Sequence, residues 1–303
     1  MSPEPLSAAA DHEDALARDY SPWIGVERRV SEVISSWPAR ALAATLDRDP
    51  AAFADGAPLP GGWHWLHFHE PVRASSLGAD GHEARGDFLP PVPLSRRMWA
   101  GGRIRLHAPL RIGDHAERIS IVERVVPKRG RSGPLVFVTV RHRVVGPRGL
   151  CVDEEQEIVY REPAPAGSGT QVVAGKAVGI EPERPDGAES VTRVRPDPVM
   201  LFRFSALTFN GHRIHYDRAY ATEIEGYPDL VVHGPLLALL LLQAGLERTG
   251  SREPVFTYRA VAPVFCGDEV EILAERDPLS SGQGRRLWAF QPDRGTAMQA
   301  RVE

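Results

Sequence analysis

"HGPLLALLLLQAGLE", residues 233–247, is the stretch on which the fold turns. Proline is favoured at the first helical position, so a helix is expected from Pro235 to about Glu247. Its leucines fall on nearly every side, which marks a helix buried all round rather than an amphipathic one. The run is too short to cross a bilayer, and Gln243 and Gly245 interrupt it. The sheet that surrounds such a helix should be found in the flanking sequence.

The segment after the helix is repeated earlier in the chain. "APLRIGDHAERISI" at 108–121 matches "APVFCGDEVEILA" at 262–274, and each copy leads to a strand-like run and an Arg-Gly turn, at 148–149 and 294–295. Alternation with period two and intervening turn residues predict about four strands per copy. They lie near 102–112, 115–126, 135–145 and 150–160 in the first copy, and near 255–266, 269–276, 285–291 and 296–302 in the second. Hairpin-joined strands imply antiparallel sheets. An antiparallel sheet wrapped around one buried helix is the hotdog arrangement, so the expected fold is an α+β double hotdog. The first half is expected to be degenerate, because "DFLPPVPLSRRMWAGG" at 87–102 takes the place of a leucine-rich helix and its prolines would break one. Residues 162–198, rich in Pro, Gly and Ala, read as a linker. The expected domains are therefore 1–161, a linker at 162–198, and 199–303.

The 303 residues are 42% apolar and 25% charged, as in ordinary globular proteins, with a net charge of -4. That charge gives no reason to expect a nucleic-acid partner. Cys151 and Cys266 are the only cysteines and lie far apart in sequence, so neither a disulfide framework nor a cysteine zinc site is expected. The first residues have neither a signal nor a transit pattern, so a cytoplasmic protein without membrane association is expected.

The loop before the helix carries the chemistry: "FNGHRIHYD" at 209–217, then His233-Gly234. A helix N-terminus aims free N–H groups at the residues that precede it and stabilises negative charge. A thioester carbonyl needs such a donor when its oxygen becomes an enolate. Pro235 has no N–H, so the Gly234 amide is the expected donor, and glycine permits close approach of a substrate. His215 can serve as general base or acid near neutral pH. Asn210 can hold a water, since its amide both donates and accepts. Together they describe addition of water to, or its removal from, a carbon–carbon double bond beside a thioester.

This stretch resembles the hydratase motif of the MaoC-like, (R)-specific enoyl-CoA hydratase family, Asp-x-Asn-Pro-x-His-x-Asp followed later by His-Gly. The match holds at His215, Asp217, His233 and Gly234, and departs at Asn210, where the family has its catalytic Asp, and at His212 and Arg213. The wording of 204–236 and of 87–102 is most similar to the branch of two-hotdog mesaconyl-C4-CoA hydratases and type 2 hydroxyacyl-thioester dehydratases. The resemblance implies a hydro-lyase on an acyl-CoA thioester, with coenzyme A as part of the substrate, no separate cofactor, and a short branched dicarboxylic acyl group. Asn210, His215 and Gly234 are then the catalytic candidates. His212, Arg213, His233 and Arg97 are the substrate-binding candidates, arginine being suited to carboxylates and phosphates. Asp217 either holds His215 or caps the next helix.

Simpler roles stand beside these. His212 fits a loop-fixing role, His233 fits a backbone contact at the Gly234 turn, and the histidines of "GWHWLHFHE" at 62–70 fit a buried segment. His212, His215 and His233 lack the His-Glu-x-x-His logic of a zinc hydrolase, so no metal is expected. A homodimer is compatible with the fold, although two hotdogs in one chain satisfy that pairing internally. The alternatives are a dehydratase on longer or carrier-bound chains, a thioesterase, and a non-catalytic acyl-CoA-binding protein.

Overall fold

Alternating stretches of the sequence become strands in the computed structural model, which describes residues 14–130, 133–162, 184–280 and 284–303. The strands are β1 (Glu27–Val33), β2 (Arg96–Leu106), β3 (His115–Gly130), β4 (Gly133–Gly146), β5 (Gly149–Arg161), β6 (Glu189–Val194), β7 (Val255–Ala260), β8 (Val270–Arg276), β9 (Arg285–Gln291) and β10 (Gly295–Val302). Three α-helices of the described residues bear on the site: α1 (Ser36–Thr45), α2 (Pro198–Leu207) and α3 (Gly234–Leu246).

All ten strands form one antiparallel sheet in the order β1-β3-β4-β5-β2-β7-β10-β9-β8-β6. Read outward from the β2–β7 seam, the halves run 2-5-4-3-1 and 7-10-9-8-6, so one half repeats the other about a pseudo-twofold axis. This is the double hotdog. The seam pairs Gly101 with Arg259 and Arg105 with Val255.

α3 lies against β7, β8, β9 and β10, with Leu236, Leu239, Leu241 and Leu242 all at 0% exposure. Full burial of a leucine contributes about 1.5–3 kcal/mol, so this face anchors the second half. The first half keeps only a stub of such a helix. Leu59 N–H bonds the Leu110 carbonyl as Val232 N–H bonds that of Val264, and Leu110 and Val264 hold equal places in the repeat. By that equivalence Pro60 and Gly61 stand where His233 and Gly234 do. The chain then makes only the short 3-10 turn Trp63–Leu66. The proline-rich segment covers part of the sheet instead: Val92 and Leu94 join Val122, Val136, Val138, Val140 and Ile158 in a second, smaller core. Its last residues, from Arg96 on, already belong to β2.

The stretch read as a linker needs correction. Residues 163–183 lie outside the described residues, but 189–194 form β6, paired with β8 at the sheet's outer edge. The second half therefore starts at β6 rather than at residue 199. Among the described residues, no helix is long and apolar enough to cross a membrane.

Candidate active site

Asp197 caps α2, its Oδ1 accepting the Met200 amide at 2.7 Å, and Pro198 opens the helix. After α2, Phe209 takes φ 48° and turns the chain. Asn210 Oδ1 accepts the His212 amide at 3.0 Å, an Asx turn that shapes the next residues. This uses the oxygen of Asn210 and leaves its Nδ2 donor for a ligand. The chain then winds one short turn, Arg213–His215. A pair of bonds ties that turn to Val231: Val231 N–H to Ile214 O at 2.9 Å, and His215 Nδ1 to Val231 O at 2.7 Å.

The second bond fixes the His215 tautomer. A carbonyl only accepts, so Nδ1 carries the hydrogen and Nε2 is a bare acceptor. Burial pushes the His215 imidazole down to about 4, against the Val231 bond, which favours the proton. Near neutral pH it is therefore an uncharged base. Its ring stacks on His233, centroids 3.7 Å apart and planes 19° from parallel. His233 is 0% exposed and is held by Ser205 Oγ at 2.8 Å from its Nε2. Burial, then the neighbouring His215 and His212, hold the His233 pKa well below its ordinary value.

His233 also precedes α3, and its carbonyl accepts the Leu236 and Leu237 amides. The Gly234 amide has no acceptor among the described residues. A Cβ built on Gly234 would meet nothing within 4 Å, and its φ is outside the left-handed range. The fold itself thus gives no steric reason for glycine at 234; a ligand approaching the amide would.

His212 lies edge-on to His215 at 5.5 Å, and its other neighbour comes from the first half: His82, with ring centroids 4.2 Å apart. Burial, then His82 and His215, push His212 down to about 2. His82 Nδ1 bonds Asp80 Oδ2 at 3.0 Å. Burial raises the Asp80 carboxyl, but hydrogen bonds from the His82 ring and amide outweigh it and hold the group below the usual carboxylate range. Burial lowers His82 too, while Asp80 works against that and the Arg97 charge adds to it. Neither Asp80 nor His82 is marked out in the sequence. "GADGHE" at 78–83 reads as a turn, and nothing local links it to a loop about 130 residues later.

Two of the expected substrate-binding residues are engaged elsewhere. Arg213 holds Asp217 Oδ2 through Nε at 3.0 Å and Nη2 at 2.7 Å, bonds Ala79 O and stacks on Tyr220. It clamps the first-half turn to the loop. Asp217 accepts the Tyr220 amide, so it is a cap and an arginine partner, not a support for His215. His233 binds Ser205 behind the His215 ring, not a backbone group, and supports His215 instead of lining the site. Arg97, on β2, makes no ion pair among the described residues, and its charge bears on His82, His212 and Tyr160.

Among the described residues, Asp80, His82 and His212 bring metal-ligating atoms within 4.8 Å of one another. The His82–Asp80 hydrogen bond closes that pair on itself. His215 and His233 are stacked face to face, so their in-plane lone pairs lie in nearly parallel planes that do not meet at one point between the rings. In "GWHWLHFHE", His64 bonds buried Glu154 at 2.8 Å and His67 bonds Glu32 at 2.6 Å, while the His69 ring lies 6.4 Å from that of Phe209 at the start of the loop. A cavity of about 230 Å³, lined by Leu59, Gly61, His64, Leu106 and Arg252 among others, marks the first half's counterpart of the site, not the site itself.

With this geometry in view, known proteins place the chain. The family described as hydroxyacyl-thioester dehydratase type 2 matches residues 62–266. The chain belongs to that family. It is 46% identical over 286 residues to the mesaconyl-C(4)-CoA hydratase of Chloroflexus aurantiacus, covering 94% of this chain and 98% of that protein. Among solved structures, a MaoC-like dehydratase superposes with a TM-score of 0.63 at 15% identity, covering 91% of this chain and 97% of that one. A Mycobacterium tuberculosis protein described as a double hotdog gives 0.55 at 15% identity, covering 92% and 95%. These two show the fold. The double-hotdog fold and the type 2 dehydratase family, both expected from the sequence, are therefore those of this chain.

Proposed function

We propose that this protein is a hydro-lyase that adds water to, or removes it from, the double bond of an enoyl-CoA thioester, with a short branched dicarboxylic acyl group such as that of mesaconyl-C4-CoA. The observation that carries the reading is the juxtaposition of His215, locked with a bare Nε2, and the free Gly234 amide at the start of a buried helix. The 46% identity to a mesaconyl-C(4)-CoA hydratase along nearly the whole of both chains supports the substrate.

Gly234 N–H receives the thioester oxygen as it turns into an enolate oxygen. His215 Nε2 takes a proton from water as the oxygen bonds the β-carbon. Asn210, its oxygen engaged by His212, offers Nδ2 to the water. Arg97, a cation without an ion pair among the described residues and close enough to bear on His212, receives the free carboxylate of the acyl group. The family match favours, as a second reading, dehydration of a 3-hydroxyacyl thioester on a longer or carrier-bound chain.

A thioester panel tests this: mesaconyl-C4-CoA, itaconyl-CoA, crotonyl-CoA and a longer enoyl-CoA, followed by mass and by free thiol. Gain of one water without thiol release, abolished in folded His215→Ala, is expected. Wild-type turnover in His215→Ala refutes the assignment. Thiol release makes the protein a thioesterase, and tight binding without turnover makes it a binding protein.

A further inference from the structure

The loop before the buried helix carries no carboxylate facing His215, and the fold brings one to it from elsewhere. Where the motif has an acid, this chain has Asn210, which cannot take a proton. Yet the turn at 78–82 brings Asp80 and His82 from the first half against the same loop.

The docking is backbone to backbone. Arg213 N–H bonds Asp80 O at 2.9 Å. Gly81 has φ +86°, and a Cβ there would sit 2.0 Å from the Gly211 carbonyl oxygen; one on Gly211 would sit 2.7 Å from that of Gly81. Only glycine at both positions allows this contact. The turn is itself fixed by Gly78 N–H to His82 O at 2.7 Å and by His82 N–H to Asp80 Oδ1 at 3.0 Å. Asp80 is therefore held against His82 Nδ1, and His82 against His212, which in turn meets His215. A carboxylate on Nδ1 orients an imidazole and stabilises the imidazolium it forms. His215 has only a carbonyl there.

We propose that His82, backed by Asp80, is the second proton-transfer group of this site, acting at the α-carbon while His215 acts at the oxygen. The proposal rests on the hydro-lyase reading above. In hydration, the water O–H bond breaks toward His215 Nε2 as the O–C bond forms at the β-carbon. The π pair moves onto the thioester oxygen at Gly234. The enolate then collapses, and a C–H bond forms at the α-carbon with the proton of the His82 imidazolium. That proton comes from solvent, to which the His82 side chain is 21% exposed, and His215 returns its own to solvent. One water is consumed and no proton is gained or lost. In dehydration, neutral His82 removes the α-proton and Asp80 steadies the resulting cation. Asp80 is the positioning residue of the pair.

The experiment measures kcat and KM for hydration of mesaconyl-C4-CoA by the full chain carrying His82→Ala, His82→Gln, Asp80→Asn, or both Asp80→Asn and His82→Gln. General acid–base groups contribute about 10²–10⁴-fold. Both His82 variants should therefore lose at least about 100-fold in kcat, with KM held within about threefold. Asp80→Asn should lose less, again in kcat, and the double variant should be no worse than His82→Gln alone, as for residues acting as one unit. Wild-type kcat in folded His82→Gln overturns the proposal, as does a double variant whose loss is the product of the single losses. His82→Gln and Asp80→Asn keep polar groups of similar size, so a failure of His82→Ala to fold does not hide the answer. His215→Ala is assayed alongside. If it is inactive while His82→Gln is active, only this proposal fails. If both are active, the hydro-lyase reading of the site fails with it.

Discussion

Replacing Gly234 by alanine separates what the fold needs from what the chemistry needs. A Cβ at 234 meets nothing within 4 Å, and the residue opens α3 without a left-handed φ. The substitution therefore introduces no clash. It removes backbone freedom from the unfolded chain, which stabilises by about 0.4–1 kcal/mol where the native conformation suits alanine. For a chain of this size that corresponds to a thermal midpoint raised by roughly 0.5–1.5 °C. The consequence for activity is opposite. The methyl group occupies the space through which the thioester oxygen reaches the amide. Losing one oxyanion donor costs about 2.7–4 kcal/mol of transition-state stabilisation, or about 10²–10³-fold in kcat. Thermal unfolding followed by circular dichroism, together with hydration kinetics, reads both quantities on one sample. A lowered midpoint would mean that the glycine is structural. Wild-type kcat would mean that the thioester does not lie at this amide. Either result refutes the reasoning.

The charges of the site lead to two more expected outcomes. Arg97→Met should raise KM for mesaconyl-C4-CoA by about 10–100-fold, the worth of a charge-assisted hydrogen bond, and leave crotonyl-CoA, which has no carboxylate, almost unaffected; equal losses on both would remove Arg97 from acyl recognition. The buried histidines should make the fold sensitive to acid: His215 is pushed down to about 4, so between its ordinary value near 6.5 and about 4 the unfolded chain binds the proton and the folded one does not. The stability from this group is present above about pH 6.5 and is lost as pH falls toward 4, and His215→Gln should flatten that slope in urea unfolding curves.

α3 is legible in the sequence because it is apolar all round, and β3, β4, β5, β8, β9 and β10 because they alternate. β1 and β6 are not. They are the outer edges of the sheet, and "ERRVSEV" and "ESVTRV" carry the charges that keep an edge from pairing with another chain, which erases the apolar alternation. α1, "SWPARALAAT", is rich in alanine and carries a proline in its first turn, so its helix depends on packing against α2. In the site, His215 and Gly234 are legible because the residues around them are close in sequence. Asp80 and His82 are not, because their meaning lies in a tertiary contact that no local pattern records. Arg213 and Asp217 are read as ligand or histidine partners until geometry shows them satisfying each other.

The β2–β7 seam has a consequence for how such a protein can change over time. Where two identical subunits pair, every substitution arrives twice, once in each, and both sites inherit it. Here the partners share one polypeptide, so a mutation falls on one side of the axis only. The first half, with Pro60 and Gly61 in place of the His-Gly pair, makes only a short turn where the other half has its helix, and its chain runs across to the other half as the turn at 78–82. The scaffold is near-symmetric and the site is not, so the site has neighbours that a symmetric pair could provide only by altering both sites at once.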